Sequence, residues 1–164
     1  MLLASVSTAV AGACVTPFEQ TALEKRVIQS ELGISALVCN EAKRYNAFVR
    51  AYRPELLKVH GDLRKMFERI YPGRGEHQLN DYLTTMANQS SLRSATDRKG
   101  FCNDADDMLD KISGRSGVEL SAFAAAQPIS SEHGFQSCAR EASAEPAQPK
   151  DRSVFSFKLF DGDE

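Results

Sequence analysis

The stretch from Thr16 to Tyr52, TPFEQTALEKRVIQSELGISALVCNEAKRYNAFVRAY, decides the fold class. Thr16 can cap a helix, Pro17 has the fixed φ suited to the first helical position, and Glu19 completes a capping box. Behind that start, Leu23, Val27, Ile34, Val38, Tyr45, Phe48 and Tyr52 recur at three-, four- and sevenfold spacings. This is the apolar stripe of an amphipathic helix. Gly33 interrupts it, so the stretch reads as one helix with a soft point or two helices meeting there. Residues 34 to 52 read as helix throughout, with Cys39 beside the stripe.

Outward from this stretch the same periodicity continues. Arg53-Pro54-Glu55 marks a break or kink, because Pro54 has no N–H and disfavours helical geometry before it. A second helix follows, with Leu56, Val59, Leu63, Met66, Phe67 and Ile70 on one side and Lys58, Asp62, Lys65 and Arg69 on the other. Tyr71-Pro72-Gly73-Arg74-Gly75 is a loop of the right length for an antiparallel turn. Residues 76 to 92 form the next helix by pattern, facing Leu79, Leu83, Met86 and Ala87 inward, and Asn88 to Ser91 weaken its end. Residues 93 to 100 read as a polar connection bounded by Gly100. Phe101, Ala105, Met108, Leu109 and Ile112 then mark a further helix with Cys102 at its start. After a turn at 113–117, Val118 to Ala126 is a short helix burying Leu120 and Phe123. From Gln127 the pattern fades into an irregular wrap ending at Cys138. The expected fold is all-α: a disulfide-braced bundle of four or five helices with an irregular C-terminal tail.

The chain of 164 residues is long enough for one domain with a real core. With 42% hydrophobic and 26% charged residues, it belongs with globular proteins rather than disordered or membrane-embedded ones. A formal charge of -2 supplies no long-range attraction for nucleic acid, so none is expected as a partner.

Cysteine usage and the N-terminus point to export. Residues 1–13 are uncharged and end in Ala11-Gly12-Ala13, which fits signal-peptidase cleavage before Cys14, although no basic residue precedes Lys25. Cys14 in that setting also resembles a lipoprotein attachment site, but such sites usually carry an aliphatic residue where Ala11 stands. Cys14, Cys39, Cys102 and Cys138 form no CxxC pair, which argues against zinc ligation or thiol exchange. Widely spaced cysteines in even number fit two disulfides in an oxidising compartment. Of three possible connectivities, the nested one is preferred: Cys39 with Cys102 joins two internal helices, and Cys14 with Cys138 joins the ends. The expected organisation is a signal peptide at 1–13, a helical domain at 14–138, and a flexible tail at 139–164. That tail ends in an apolar segment at 154–160, where Phe155, Phe157 and Leu159 share one side of an extended strand.

No catalytic, cofactor-binding or metal-ligating residue is expected. His60 reads as a half-exposed helical residue, and His77 as a helix-start residue. His133 near Cys138 suggests a Cys-His pair only if the thiol is free and a third group orients the ring. Asp104, Asp106, Asp107 and Asp110 lack EF-hand spacing and suit helix capping and solvation. Gly73, Gly75, Gly114 and Gly117 form no phosphate loop. Residues 41–70 hold eight basic side chains (Lys43, Arg44, Arg50, Arg53, Lys58, Arg64, Lys65, Arg69) against four acidic ones (Glu41, Glu55, Asp62, Glu68). That excess suits an anionic partner or lipid headgroups if it gathers on one face, and charge reversal at Lys58, Lys65 and Arg69 is the test the sequence suggests.

The functional expectation is a non-enzymatic periplasmic or extracellular accessory or binding protein. Its expected partner is another envelope protein, contacted through the helical surface or the C-terminal segment. Membrane contact is compatible with this reading, but no transmembrane span is expected in the mature protein. The alternative is a small-ligand carrier or enzyme with an interhelical pocket. An anchor through a lipid on Cys14 is the alternative localisation.

Overall fold

The capping box forms as the sequence requires: the Glu19 N–H donates to Thr16 Oγ1 at 3.3 Å, and the Thr16 N–H donates to Glu19 Oε2 at 2.8 Å. These contacts come from a computed structural model, which describes residues 14–113 and 119–138. The expected signal peptide at 1–13, the centre of the 113–117 turn and the tail at 139–164 lie outside the described residues. From the cap runs α1 (Pro17–Val38), followed by α2 (Ala42–Ala51), α3 (Arg53–Ile70), α4 (Gly75–Thr96), α5 (Arg98–Ser113) and the short α6 (Leu120–Ala125). A 3-10 helix (Pro128–His133) precedes the terminal strap. Among the described residues the fold is an all-α bundle of five long helices, with α6 and the 3-10 helix as short additions.

Helix α1 is the spine and touches every other element. Its N-terminal half supplies Ala22 and Leu23 to a core completed by Val59, Leu63, Met66 and Phe67 of α3 and Leu79 of α4. Its C-terminal half supplies Ile28 and Leu32 to a second core built with α2, α5 and α6 around Phe48, Leu109 and Leu120. A helix covered on several sides cannot keep a narrow apolar stripe. Leu23, Ile28 and Leu32 are therefore fully buried, whereas Ile34 and Val38 of the sequence stripe are only half-buried.

Each core is braced by one disulfide, Cys14–Cys138 at the first and Cys39–Cys102 at the second. This is the nested pairing. Next to Cys14–Cys138, Val15 and Ser137 form an isolated parallel bridge. There the Val15 N–H donates to Gln136 O at 2.9 Å, and the Cys138 N–H donates to Val15 O at 2.8 Å. Phe135 of the strap packs edge-on against Phe67 and Tyr82, with ring centroids 5.6 and 5.5 Å away. The strap that the sequence marks as irregular is thus tied by a covalent bond, backbone pairing and an aromatic contact.

Three helix boundaries differ from the sequence expectation. Residues 34–52 are not one helix: α1 runs through Gly33 and ends at Val38, and Asn40 turns the chain with φ 63. Asparagine tolerates this left-handed conformation better than other non-glycine residues. The polar connection at 93–100 is absent, because α4 continues to Thr96 and only Asp97 separates it from α5. The hydroxyls of Ser91, Ser94 and Thr96 donate to carbonyls within α4, so they do not compete for the chain's direction. Ser90 and Ser94 are buried at an interface where larger side chains would hold the helices apart. Gly100 lies in the first turn of α5, where its N–H donates to Asp97 Oδ1 at 2.9 Å; a Cβ there would collide with Asp97 Oδ2.

Candidate functional site

Glu31 is a buried carboxylate in the middle of α1, with its side chain only 6% exposed. An unpaired charge there would be costly, and the fold answers it with Arg93 from α4. Arg93 Nη2 donates to Glu31 Oε2 at 2.5 Å and Nε donates to Glu31 Oε1 at 3.4 Å. The other end of the same guanidinium donates to Glu132 Oε2 of the 3-10 helix at 2.8 Å, and Nη2 also reaches Ser90 Oγ at 3.2 Å. One planar fork therefore clasps α1, α4 and the 3-10 helix, a geometry that lysine could not reproduce.

Around this clasp opens a cleft between α1, α4, α5 and the 3-10 helix. Its wider part, about 550 Å³, is lined by Leu92, Thr96, Phe101 and Ile129 with the clasp itself. Asp104 continues into a narrower recess of about 240 Å³ with Asp107, Met108, Lys111 and Pro128. Leu92 stands 68% exposed at the rim. The Arg93 charge is already shared by two carboxylates, while Asp104 and Asp107 have no ion-pair partner among the described residues. The cleft therefore presents apolar walls and an α5 edge on which two unpaired carboxylates, Asp104 and Asp107, outnumber one unpaired cation, Lys111.

The other residues raised by the sequence are spread over the molecule. His60 is exposed on α3, and His77 pairs with Asp81 at 2.9 Å on the exposed side of α4. Asp106 and Asp110 are taken by Arg44, which also meets Glu41 at 3.2 Å, so the aspartate cluster is divided between an ion-pair network and the cleft edge. Among the described residues, no group of three or more His, Cys, Asp or Glu is placed to hold a metal ion. Cys138 is bonded to Cys14, so no thiol stands beside His133. The same bond corrects the lipid-anchor alternative, since a sulfur held in a disulfide cannot also carry a thioether lipid. No helix among the described residues is long and apolar enough to cross a membrane.

His133 is buried where the 3-10 helix meets α4. The Tyr82 hydroxyl donates to its carbonyl at 3.1 Å, and the Phe135 N–H donates to its Nδ1 at 3.1 Å. Nδ1 is therefore the unprotonated ring nitrogen. Burial pushes the imidazole below its ordinary value of 6.5, against a smaller opposing effect of Glu24. A histidine with a depressed folded value contributes stability that is full above 6.5 and is lost as pH falls from there through the folded value. Urea unfolding at pH 7.5 and pH 5 should show the protein weaker in acid, with His133→Phe flattening the difference. A ring proton titrating at or above 6.5 by NMR would remove the explanation.

Of the eight basic side chains at 41–70, three are engaged: Arg44 as above, Lys58 with Asp62 at 2.7 Å, and Arg69 with Glu19 at 2.7 Å. Lys58 also sits 4.4 Å above the Phe18 ring. Burial raises the Glu19 carboxyl, but hydrogen bonds from Arg69 and Thr16 outweigh it and hold the group below the ordinary value. Lys58 and Arg69 are thus structural cations, which makes them poor probes of a binding face. Sequence reasoning also missed the Glu31–Arg93 clasp. Its signal was present: Glu24 and Glu31 recur at sevenfold spacing on the face of α1 that also carries Ile28 and Ser35, all four buried. No family model, curated protein or solved structure matches this chain.

Proposed function

We propose that the chain is a non-enzymatic accessory or binding protein of an oxidising compartment, periplasmic or extracellular, and that its cleft receives a basic, partly apolar segment of an envelope partner protein. The observation that carries this reading is the cleft itself, where Asp104 and Asp107 outnumber one unpaired cation, Lys111, on the α5 edge, beside the exposed Leu92. Charge complementarity favours a cationic occupant, and the apolar walls favour one with hydrophobic side chains. Two disulfides support the compartment. The alternative, a small-ligand carrier or enzyme with an interhelical pocket, has the recess of about 240 Å³ in its favour. The wider part, about 550 Å³, lies within the roughly 300 to 1,000 Å³ of ordinary ligand sites, and it is the exposed Leu92 at the rim that favours a protein segment.

A photoreactive side chain placed at Leu92 in the native envelope tests this. It should cross-link one partner, the product should vanish when Asp104→Lys and Asp107→Lys are added, and the same probe at exposed Leu37 should give none. Equal labelling from both positions, or none from Leu92, would remove the reading. Truncation after Arg140 then asks whether the apolar segment at 154–160 adds a second contact: lower partner recovery assigns it one, and unchanged recovery leaves the cleft alone.

A further inference from the structure

We infer that the outer face of the α2–α3 pair is a docking surface for anionic phospholipid headgroups. Lys43, Arg50, Arg53, Arg64 and Lys65 are exposed, and none has an ion-pair partner among the described residues. Three of the four acids in the same region are spent on Arg44, Lys25 and Lys58, and the fourth, Glu68, accepts the N–H groups of Gly73 and Gly75. On α2, Lys43 and Arg50 stand seven residues apart, away from buried Phe48. On α3, Arg53, Leu57 and Arg64 recur at four- and sevenfold spacing with Lys65 beside them, away from buried Val59 and Leu63. At the ordinary helical rise, Arg53 to Lys65 covers about 18 Å of α3.

A cationic row of this length suits a plane of phosphates, where every cation can be met at once. Leu57 decides among polyanions. It stands 65% exposed between Arg53 and Arg64, where an apolar side chain gains from the boundary beneath lipid headgroups and gains nothing from phosphates or carboxylates in water. A disulfide-bonded protein also works where membranes, rather than nucleic acids, are the prevalent anionic surface.

Sedimentation of the full chain with vesicles provides the test. Binding is expected to phosphatidylcholine vesicles containing phosphatidylglycerol at low salt, and it should weaken as salt is added. Arg53→Glu with Arg64→Glu and Lys65→Glu should reduce it by more than about 100-fold, since the loss of each basic side chain near the surface removes roughly a factor of five and the new carboxylates repel the headgroups. The glutamine versions of the same three should weaken it in the same direction if the reversed protein misfolds, Leu57→Ala should weaken it severalfold, and Lys99→Glu with Lys111→Glu on α5 should not. Absence of binding, equal binding to pure phosphatidylcholine, no effect of the triple variant, or retention only on polyglutamate or duplex DNA would overturn the proposal.

Discussion

Serine at both Cys39 and Cys102, or at both Cys14 and Cys138, is expected to lower the unfolding free energy by about 4 kcal/mol. The sequence separations are 63 and 124 residues, but the pairs are nested, and with Cys39–Cys102 intact the outer bond closes a loop of roughly 60 residues, so the two losses are similar. The two losses differ in place. Without Cys39–Cys102, the α1–α5 junction loses its covalent tie, leaving the second core to hydrophobic packing, to the Arg98 guanidinium, which donates to Val38 O, and to Arg44, which joins α2 to Asp106 and Asp110 of α5. Without Cys14–Cys138, the strap keeps only its bridge at Val15, a Ser137–Gln20 hydrogen bond of 2.7 Å and the Phe135 contact with Phe67 and Tyr82. Loss of both approaches the roughly 5–15 kcal/mol available to an ordinary domain, so the reduced chain should lose cooperative unfolding. Urea denaturation of the two pairs and of the reduced protein checks this. A change under 1 kcal/mol for both pairs would mean that the packed cores hold the fold without them.

The second large effect is expected at the clasp. Arg93→Ala strands Glu31, a carboxylate buried in the spine helix, and releases Glu132 from α4. Breaking a buried pair from one side costs about 3–5 kcal/mol, and the lower figure applies here because a third of the Arg93 side chain is exposed, at 34%. Glu31→Met combined with Arg93→Met should cost much less than Arg93→Ala, since an apolar pair of similar length leaves no lone charge behind. If Arg93→Ala lies within 1 kcal/mol of the wild type, or the double variant is as unstable as the single one, Arg93 is a surface ion pair and the clasp has no structural role.

Local chemistry made parts of the fold legible. Thr16, Pro17 and Glu19 carry every group of their cap within four residues, and the faces of α3 and α5 follow from one-sided burial. The break at Asn40 was not legible, because Tyr45 and Phe48 continue a spacing that suits one helix as well as two. The passage of α4 through Asn88 to Ser91 was obscured for the opposite reason. Propensity reads serine as a weak helix former, whereas burial of Ser90 and Ser94 rewards its small size. Glu31 is buried only because α4 and the 3-10 helix, distant in the chain, cover it.

By itself, the sequence determined the helical class, the start of α1, the core-facing residues of α3 and α5, and the economy of pairing four spaced cysteines, whose nested order, one of three possible, the structure supplied. Those follow from interactions between residues close in the chain, or from counting. Only the tertiary structure decided which charges are spent and which are free. Arg93 is neutralised by Glu31 from α1, Arg44 by Asp106 and Asp110 from α5, and Arg69 by Glu19 from α1. A composition treats all cations alike. Folding sorts them by the partners it brings within reach, leaving the cleft with an acidic edge and the α2–α3 face with its unpaired row.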